Sequence, residues 1–230
     1  MKKMFMAVIA LMMTISASAQ FYIYCSDGNI IKVDSISMIA GHEYVDLGLS
    51  VKWATCNVGA SSPEEYGDYF AWGEVEPKEV YDWNTYKWCN GSEYSLTKYC
   101  TNSSYGTVDN KTTLELSDDA ARANWGGSWR MPTDAELNEL RDLCTWKWTT
   151  QNGVEGYKVT SRMSGYTNKS IFLPAAGLRY DSSLDLRASS CYWSSSLFTG
   201  GAYVLWFNSS YVTVSDDDRC WGRSVRPVFQ

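Results

Sequence analysis

The residues best suited to bind something lie near the C-terminus, in "NSSYVTVSDDDRCWGR", residues 208–223. "YVTVS" alternates cleanly. If Val212 and Val214 face a core, Tyr211, Thr213 and Ser215 face the other way. Asp216 and Asp217 extend that outward surface into a turn, Asn208 precedes it, and Trp221 and Arg223 follow it. Aromatic, amide, hydroxyl and both charge signs on a small area make up a recognition surface better than a catalytic centre. An ordinary polar sheet face carries the same pattern, and alternation alone does not separate the two. Trp146 and Trp148 flank Lys147 and so share a face. They suit stacking on sugar rings or packing in a core.

Chemistry beyond recognition is short of parts. There are seven cysteines, no CxxC pair and one histidine, which argues against a Cys/His zinc site. Any Ser-His-Asp or Cys-His arrangement would have to use His42, which sits in "AGHEY" and reads as a surface or linker residue. No P-loop, dinucleotide fingerprint or HExxH occurs. Paired carboxylates for glycoside hydrolysis have no local motif, so the acids neither support nor exclude them. In "SDDDR" (Ser215 to Arg219) three adjacent acids cannot all face one ion without a shaped loop, so the stretch reads as a solvated turn. We therefore assign no catalytic residue, no metal and no cofactor.

Several elements must position the C-terminal strip. The chain has 230 residues, enough for one well-cored domain and an appendage. Residues 1–19 read as a secretory signal peptide. Lys2 and Lys3 precede a short apolar run, and Ala17-Ser18-Ala19 forms a cleavage pattern with the cut after Ala19. No later segment is long and apolar enough for a transmembrane helix. The predicted location is secreted or at the cell surface. Cleavage removes two lysines and no acid, taking the formal charge from −6 to 18 − 26 = −8. An acidic chain with no basic patch is a poor partner for nucleic acid or anionic membrane.

Export permits disulfides, and an odd count leaves a thiol over. Cys89 and Cys100 flank a turn-rich loop and form the first candidate pair, with Cys191 and Cys220 the second; Cys56 and Cys144 read as buried thiols. Residues 20–40 hold two β-prone runs around Asp27-Gly28, a hairpin signal for a small N-terminal unit. The main domain is expected over 41–230. It contains a long aromatic and polar insertion, 77–112, held by Trp83, Tyr86 and Trp88.

Two helices are predicted. The first starts near "LSDDAARANW" with Ser117 as its cap. The second is "PTDAELNELRDL", where Thr133 and Glu136 make a capping box. Leu137, Leu140 and Cys144 form its apolar stripe, widened by Leu143. Everything after it reads as strands, including a pair around Asn152-Gly153 and a hairpin in "AYVLWFNSSYVTVS". The class is α+β.

"GGSWRMPTDAEL", "FLPAAG", "YWSSS" and the terminal "GRSVRPV" together resemble the FISUMP family and the related Lcl C-terminal domains, secreted bacterial domains grouped with the C-type lectin-like fold. "EYVDLGLSVKWATCNVGA" and "YFAWGE" look like the opening half of such domains in secreted proteins of gut bacteria. The likeness covers roughly residues 42–230. It implies two helices against a twisted antiparallel sheet, with first and last strands close together. It implies a scaffold role for Trp129, Arg130, Pro132, Thr133 and Glu136.

The resemblance also implies that a long-loop region presents the ligand surface. From the residues themselves we expect a monomeric, adhesin-like module that binds a glycan or protein at the C-terminal strip: Asn208, Tyr211, Thr213, Ser215, Asp216, Trp221 and Arg223. The acid-Pro-Asn or Gln-Pro-Asp loop and Trp-Asn-Asp strand of calcium-dependent sugar-binding lectins are missing, so their calcium site does not carry over. Two other readings stand beside this one. Lectin-like domains are targets of diversity-generating retroelements, and the strip has the layout of a variable segment. A secreted hydrolase of unidentified type is the second.

Overall fold

The computed structural model describes residues 21–24, 30–33, 38–186 and 190–230, the first two groups by backbone alone. The signal-peptide reading, Cys25 and the Asp27-Gly28 turn lie outside the described residues. The described chain is mostly β, with two α-helices and several sheets in which every named pairing is antiparallel.

Among the described residues, β1 (Phe21–Tyr24) and β2 (Ile30–Val33) pair only with each other. β3 (Met38–Ile39), β4 (His42–Val45) and β5 (Lys52–Ala54) form a meander that the last strand, β14 (Val228–Phe229), joins beside β5. The last residues of the N-terminal segment therefore belong to the main sheet, and the chain's end returns to its beginning. β6 (Cys144–Gln151), β7 (Val154–Ser161) and β8 (Ser170–Pro174) make a second meander. Asn152 and Gly153, at φ 47° and 86°, form the tight turn between β6 and β7, because only residues that tolerate left-handed backbone close a two-residue hairpin of this twist. A short hairpin of β9 (Leu178–Tyr180) and β10 (Ser183–Asp185) leads to the sheet of β11 (Ser190–Phe198), β12 (Gly201–Asn208) and β13 (Tyr211–Asp217).

Helix α1 (Ala120–Trp125) is capped by Asp119, not Ser117, which lies in a 3-10 turn over Leu116–Asp118. Either residue can cap a helix. Asp119 prevails because its carboxylate accepts from Arg122 N at 3.0 Å and also from Met131 N at 2.8 Å, tying the helix start to the following strap.

Helix α2 (Asp134–Leu143) starts at the expected capping box. Thr133 Oγ1 accepts from Glu136 N at 3.2 Å, and Glu136 Oε2 accepts from Thr133 N at 2.8 Å. Its Leu137 and Leu140 enter the first core cluster with Cys144, Trp53, Tyr157, Leu205 and Phe207. Leu143 does not widen the stripe but is exposed, because the chain turns into β6 one residue later. Trp146 and Trp148 are half-buried and pack on this cluster, each edge-on to Tyr157.

The strap between the helices is built into the scaffold. Trp129 is fully buried against Phe229 and Trp125, and its indole donates to the Ile39 carbonyl at 3.1 Å. Arg130 exchanges both backbone hydrogen bonds with Val228 and clamps Glu136 with two guanidinium nitrogens at 2.6 and 2.8 Å. The Pro132 carbonyl accepts from Ser195 N at 2.7 Å. Thr133→Ala is expected to cost about 1 kcal/mol in urea denaturation. Burial pushes the Glu136 carboxyl up, but Arg130 and the Thr133 amide outweigh it and hold the group below its ordinary value. This contribution is thus present above the ordinary carboxylate range and lost as pH falls through the depressed value. Glu136→Gln should flatten the acid limb of the stability profile.

The insertion 77–112 contains no named helix or strand, yet it is ordered. Tyr86, Leu96 and Cys100 bury in a third cluster with Tyr69, Tyr81 and Cys220, and Trp83 and Trp88 pack against it. No disulfide joins the expected pairs. The Cys89 thiol donates to the Trp83 carbonyl at 3.0 Å and the Cys100 thiol to the Asn102 carbonyl at 3.1 Å. Cys191 lies in the second cluster and Cys220 in the third. Aromatic burial, rather than a covalent link, holds the insertion.

Candidate ligand site at the C-terminal strand

β13 divides its side chains as its alternation requires. Val212 and Val214 pack on the first cluster beside their cross-strand partners Phe207 and Leu205. Tyr211, Thr213 and Ser215 turn to the other face, opposite Asn208, Trp206 and Val204. That face is not open along its length. The crossing segment, 219–225, leads from β13 to the far side of β11, where Trp193 N donates to the Ser224 carbonyl at 3.1 Å, and it is held by reciprocal backbone hydrogen bonds between Arg223 and Phe70 at 3.0 Å and between Gly222 and Arg179 at 2.9 Å. Gly222 is required for this approach, since a Cβ there would meet the Tyr81 ring at 2.7 Å.

Between this crossing segment and β13 lies a cavity of about 390 Å³. Its lining includes Thr213, Ser215, Asp216, Trp221 and Arg223, five of the seven residues singled out in the sequence. Asn208 and Tyr211 are not part of it. Asn208 ends β12, where its Oδ1 accepts from Ser210 N of the turn at 2.9 Å, and Tyr211 is 59% exposed beside Trp206. Tyr211→Ala is expected to change stability by less than about 0.5 kcal/mol in thermal denaturation. The lining also holds Asp217, Trp206, Cys191 and Leu178. Trp206 shares the parity of Asn208 and was within reach of sequence reading. Cys191 needs the β11–β12 register, which pairs it with Trp206.

Arg223 corrects an expectation. It was read as outward, but it is 1% exposed at the pocket base. Its Nη2 pairs with Asp217 Oδ2, and its guanidinium lies 5.2 Å from the Trp221 ring centre. Nε and Nη1 donate to nothing. The "SDDDR" stretch is likewise no simple solvated turn. Asp217 takes this ion pair, and Arg219 is fully buried among carbonyls. Trp221 is half-buried, packed on the third cluster as well as facing the pocket.

Comparison with family models, curated proteins and solved structures finds no match.

The groups near the pocket are poorly set up for covalent chemistry. Burial pushes the Cys191 thiol up to about 12, which disfavours the nucleophilic thiolate at neutral pH. His42 is not a lining residue. It stacks flat on Trp125, with ring centres 3.7 Å apart, and burial lowers its pKa. It stays partly exposed in β4, so the surface reading gains a packing contact and is not overturned. Among the described residues, no group of three or more His, Cys, Asp or Glu is placed to hold a metal ion. No described helix is long and apolar enough to cross a membrane.

Proposed function

We propose that the chain is a secreted or cell-surface ligand-binding module of C-type lectin-like fold, related to the FISUMP domains, that holds a glycan or protein in the pocket between β13 and the crossing segment. The observation that carries this reading is the pocket itself. Five residues expected on sequence grounds to form a recognition surface meet around one cavity, whose lining mixes indoles, hydroxyls, carboxylates and a buried guanidinium. A concave site with a few convergent polar groups is the default place for ligand binding. Two further features support the family reading. β14 closes beside β5, and "GGSWRMPTDAEL", "YWSSS" and "SVRPV" meet where Pro132 takes Ser195 and Arg130 takes Val228.

The test is a glycan and host-protein array probed with the wild type and Ser215→Arg. Ser215 is exposed, and the new side chain would lie across the pocket toward Asp216 and Asp217. Binding is expected to weaken at least tenfold, about 1.4 kcal/mol. Unchanged binding by folded variant protein would contradict the site. A panel of chromogenic glycosides run alongside should show no turnover; turnover abolished by one carboxylate substitution would move the assignment to a hydrolase.

A further inference from the structure

β13 stands at one end of its sheet, in the order β11-β12-β13. Its register with β12 runs unbroken from Asn208↔Tyr211 to Ala202↔Asp217, across the two-residue turn Ser209-Ser210. In such a hairpin the closing pair is hydrogen-bonded, and bonded and non-bonded pairs then alternate. Tyr211, Thr213, Ser215 and Asp217 therefore bond inward to β12. The backbone N–H and C=O groups of Val212, Val214 and Asp216 point to the open edge. Among the described residues no other backbone group meets them there; the neighbouring Thr213 Oγ1 reaches the Val214 carbonyl at 3.3 Å.

An open edge pairs with another strand unless it is covered, or blunted by lysine, proline or a bulge. Other strands at sheet ends are so treated. Val228 in β14 exchanges backbone hydrogen bonds with Arg130, and the far side of β11 donates to the carbonyls of Ser224, Pro132 and Thr112. β6 carries exposed Lys147, and β8 ends at Pro174. β13 has no lysine, no proline and no bulge. Its acids sit at one end: Asp217 is paired with Arg223, while Asp216 is exposed.

The pocket adjoins this edge, with Thr213 and Ser215 in its lining. A strand added outside β13 would carry the side chains opposite Thr213 and Ser215 on the pocket side, beside a cavity of about 390 Å³. A glycan has no ladder of alternating N–H and C=O groups with which to answer Val212, Val214 and Asp216. A second copy of this chain has one, but β13 contains no basic residue to meet Asp216, and two chains of net charge −6 repel. We infer that the partner is a polypeptide that pairs as an extended strand with the edge of β13, one side chain entering the pocket beside Thr213 and Ser215 and a basic residue lying against Asp216. This rests on the pocket being the binding site.

The probes are short linear peptides selected from a random display library on the whole chain and then synthesised, with the glycan array alongside. Fluorescence titration should give saturable binding of peptides containing Lys or Arg. N-methylation of alternate peptide nitrogens leaves the protein untouched; it should weaken binding at least tenfold in one parity and far less in the other. On the protein, Asp216→Ala removes the charge and keeps the N–H. Asp216→Pro also removes the outward N–H, at an edge position that tolerates proline, and should bind at least tenfold more weakly than Asp216→Ala. Ser215→Arg should abolish binding. Peptides lost in Ser215→Arg but indifferent to N-methylation and to Asp216→Pro would overturn the inference and leave the pocket reading standing. So would glycans alone binding and being lost in Ser215→Arg. Peptide binding that survives Ser215→Arg would overturn both. Self-association of the wild type, abolished by Asp216→Pro, would give the edge to a second copy and overturn the inference, as would a library that yields no binding peptide.

Discussion

Trp129→Ala is expected to destabilise the protein by about 3–5 kcal/mol, the usual cost of deleting a large buried aromatic. Trp129 has no exposed surface, and its ring is edge-on to Phe229 in β14 and to Trp125 in α1. Its indole N–H also satisfies the Ile39 carbonyl beside β4. Removing it opens a cavity where the first helix, the β3–β4 pair and the last strand meet. Urea denaturation measures the loss. Protein that remains folded should keep its ligand, since no pocket residue touches this ring. An unchanged denaturation midpoint with binding lost would mean that the strap is the site rather than the scaffold.

The second large effect is expected at Arg219. Its guanidinium donates to the Tyr99 carbonyl at 2.9 Å, the Gly200 carbonyl at 3.0 Å and the Thr199 carbonyl at 3.3 Å, and it lies 5.5 Å from the Trp72 ring centre. One side chain thus joins the insertion, the β11–β12 turn and the crossing segment, whose Trp221 and Arg223 line the pocket. Burial lowers its pKa, so these carbonyls must compensate the lost hydration. Arg219→Met keeps much of the volume and strands the carbonyls, for a loss of about 2–4 kcal/mol. Limited proteolysis should report the same change locally, with faster cleavage within 77–112. Equal cleavage rates would show that the insertion does not depend on this link.

What the sequence made legible was local. Thr133 and Glu136 stand three apart, and the capping box follows from that spacing. Asn152-Gly153 has the backbone tolerance its turn needs. The parity of Val212 and Val214 places Thr213 and Ser215 on the opposite face from the first core cluster. What it hid depends on contacts between distant residues. Arg223 looks like a surface arginine until Phe70 pairs with its backbone and Asp217 turns toward its guanidinium. Cys89 and Cys100 frame a plausible loop, but each thiol has a nearby carbonyl instead of the other sulfur. Asp119 displaced Ser117 as a cap because of Met131, twelve residues on. Trp221 was read as wholly outward, yet the insertion covers one side of it, so Trp221→Ala should cost stability as well as binding and is a poorer probe than Ser215→Arg.

The most direct measurement of the central claim is a co-crystal structure of the chain with the tightest-binding glycan or protein from the array. The account predicts ligand density in the pocket, against Trp206 and Trp221, with polar atoms in hydrogen-bonding reach of Thr213 and Ser215. Density instead on the insertion around Trp83, Tyr86 and Trp88, with the pocket holding only solvent, would contradict it.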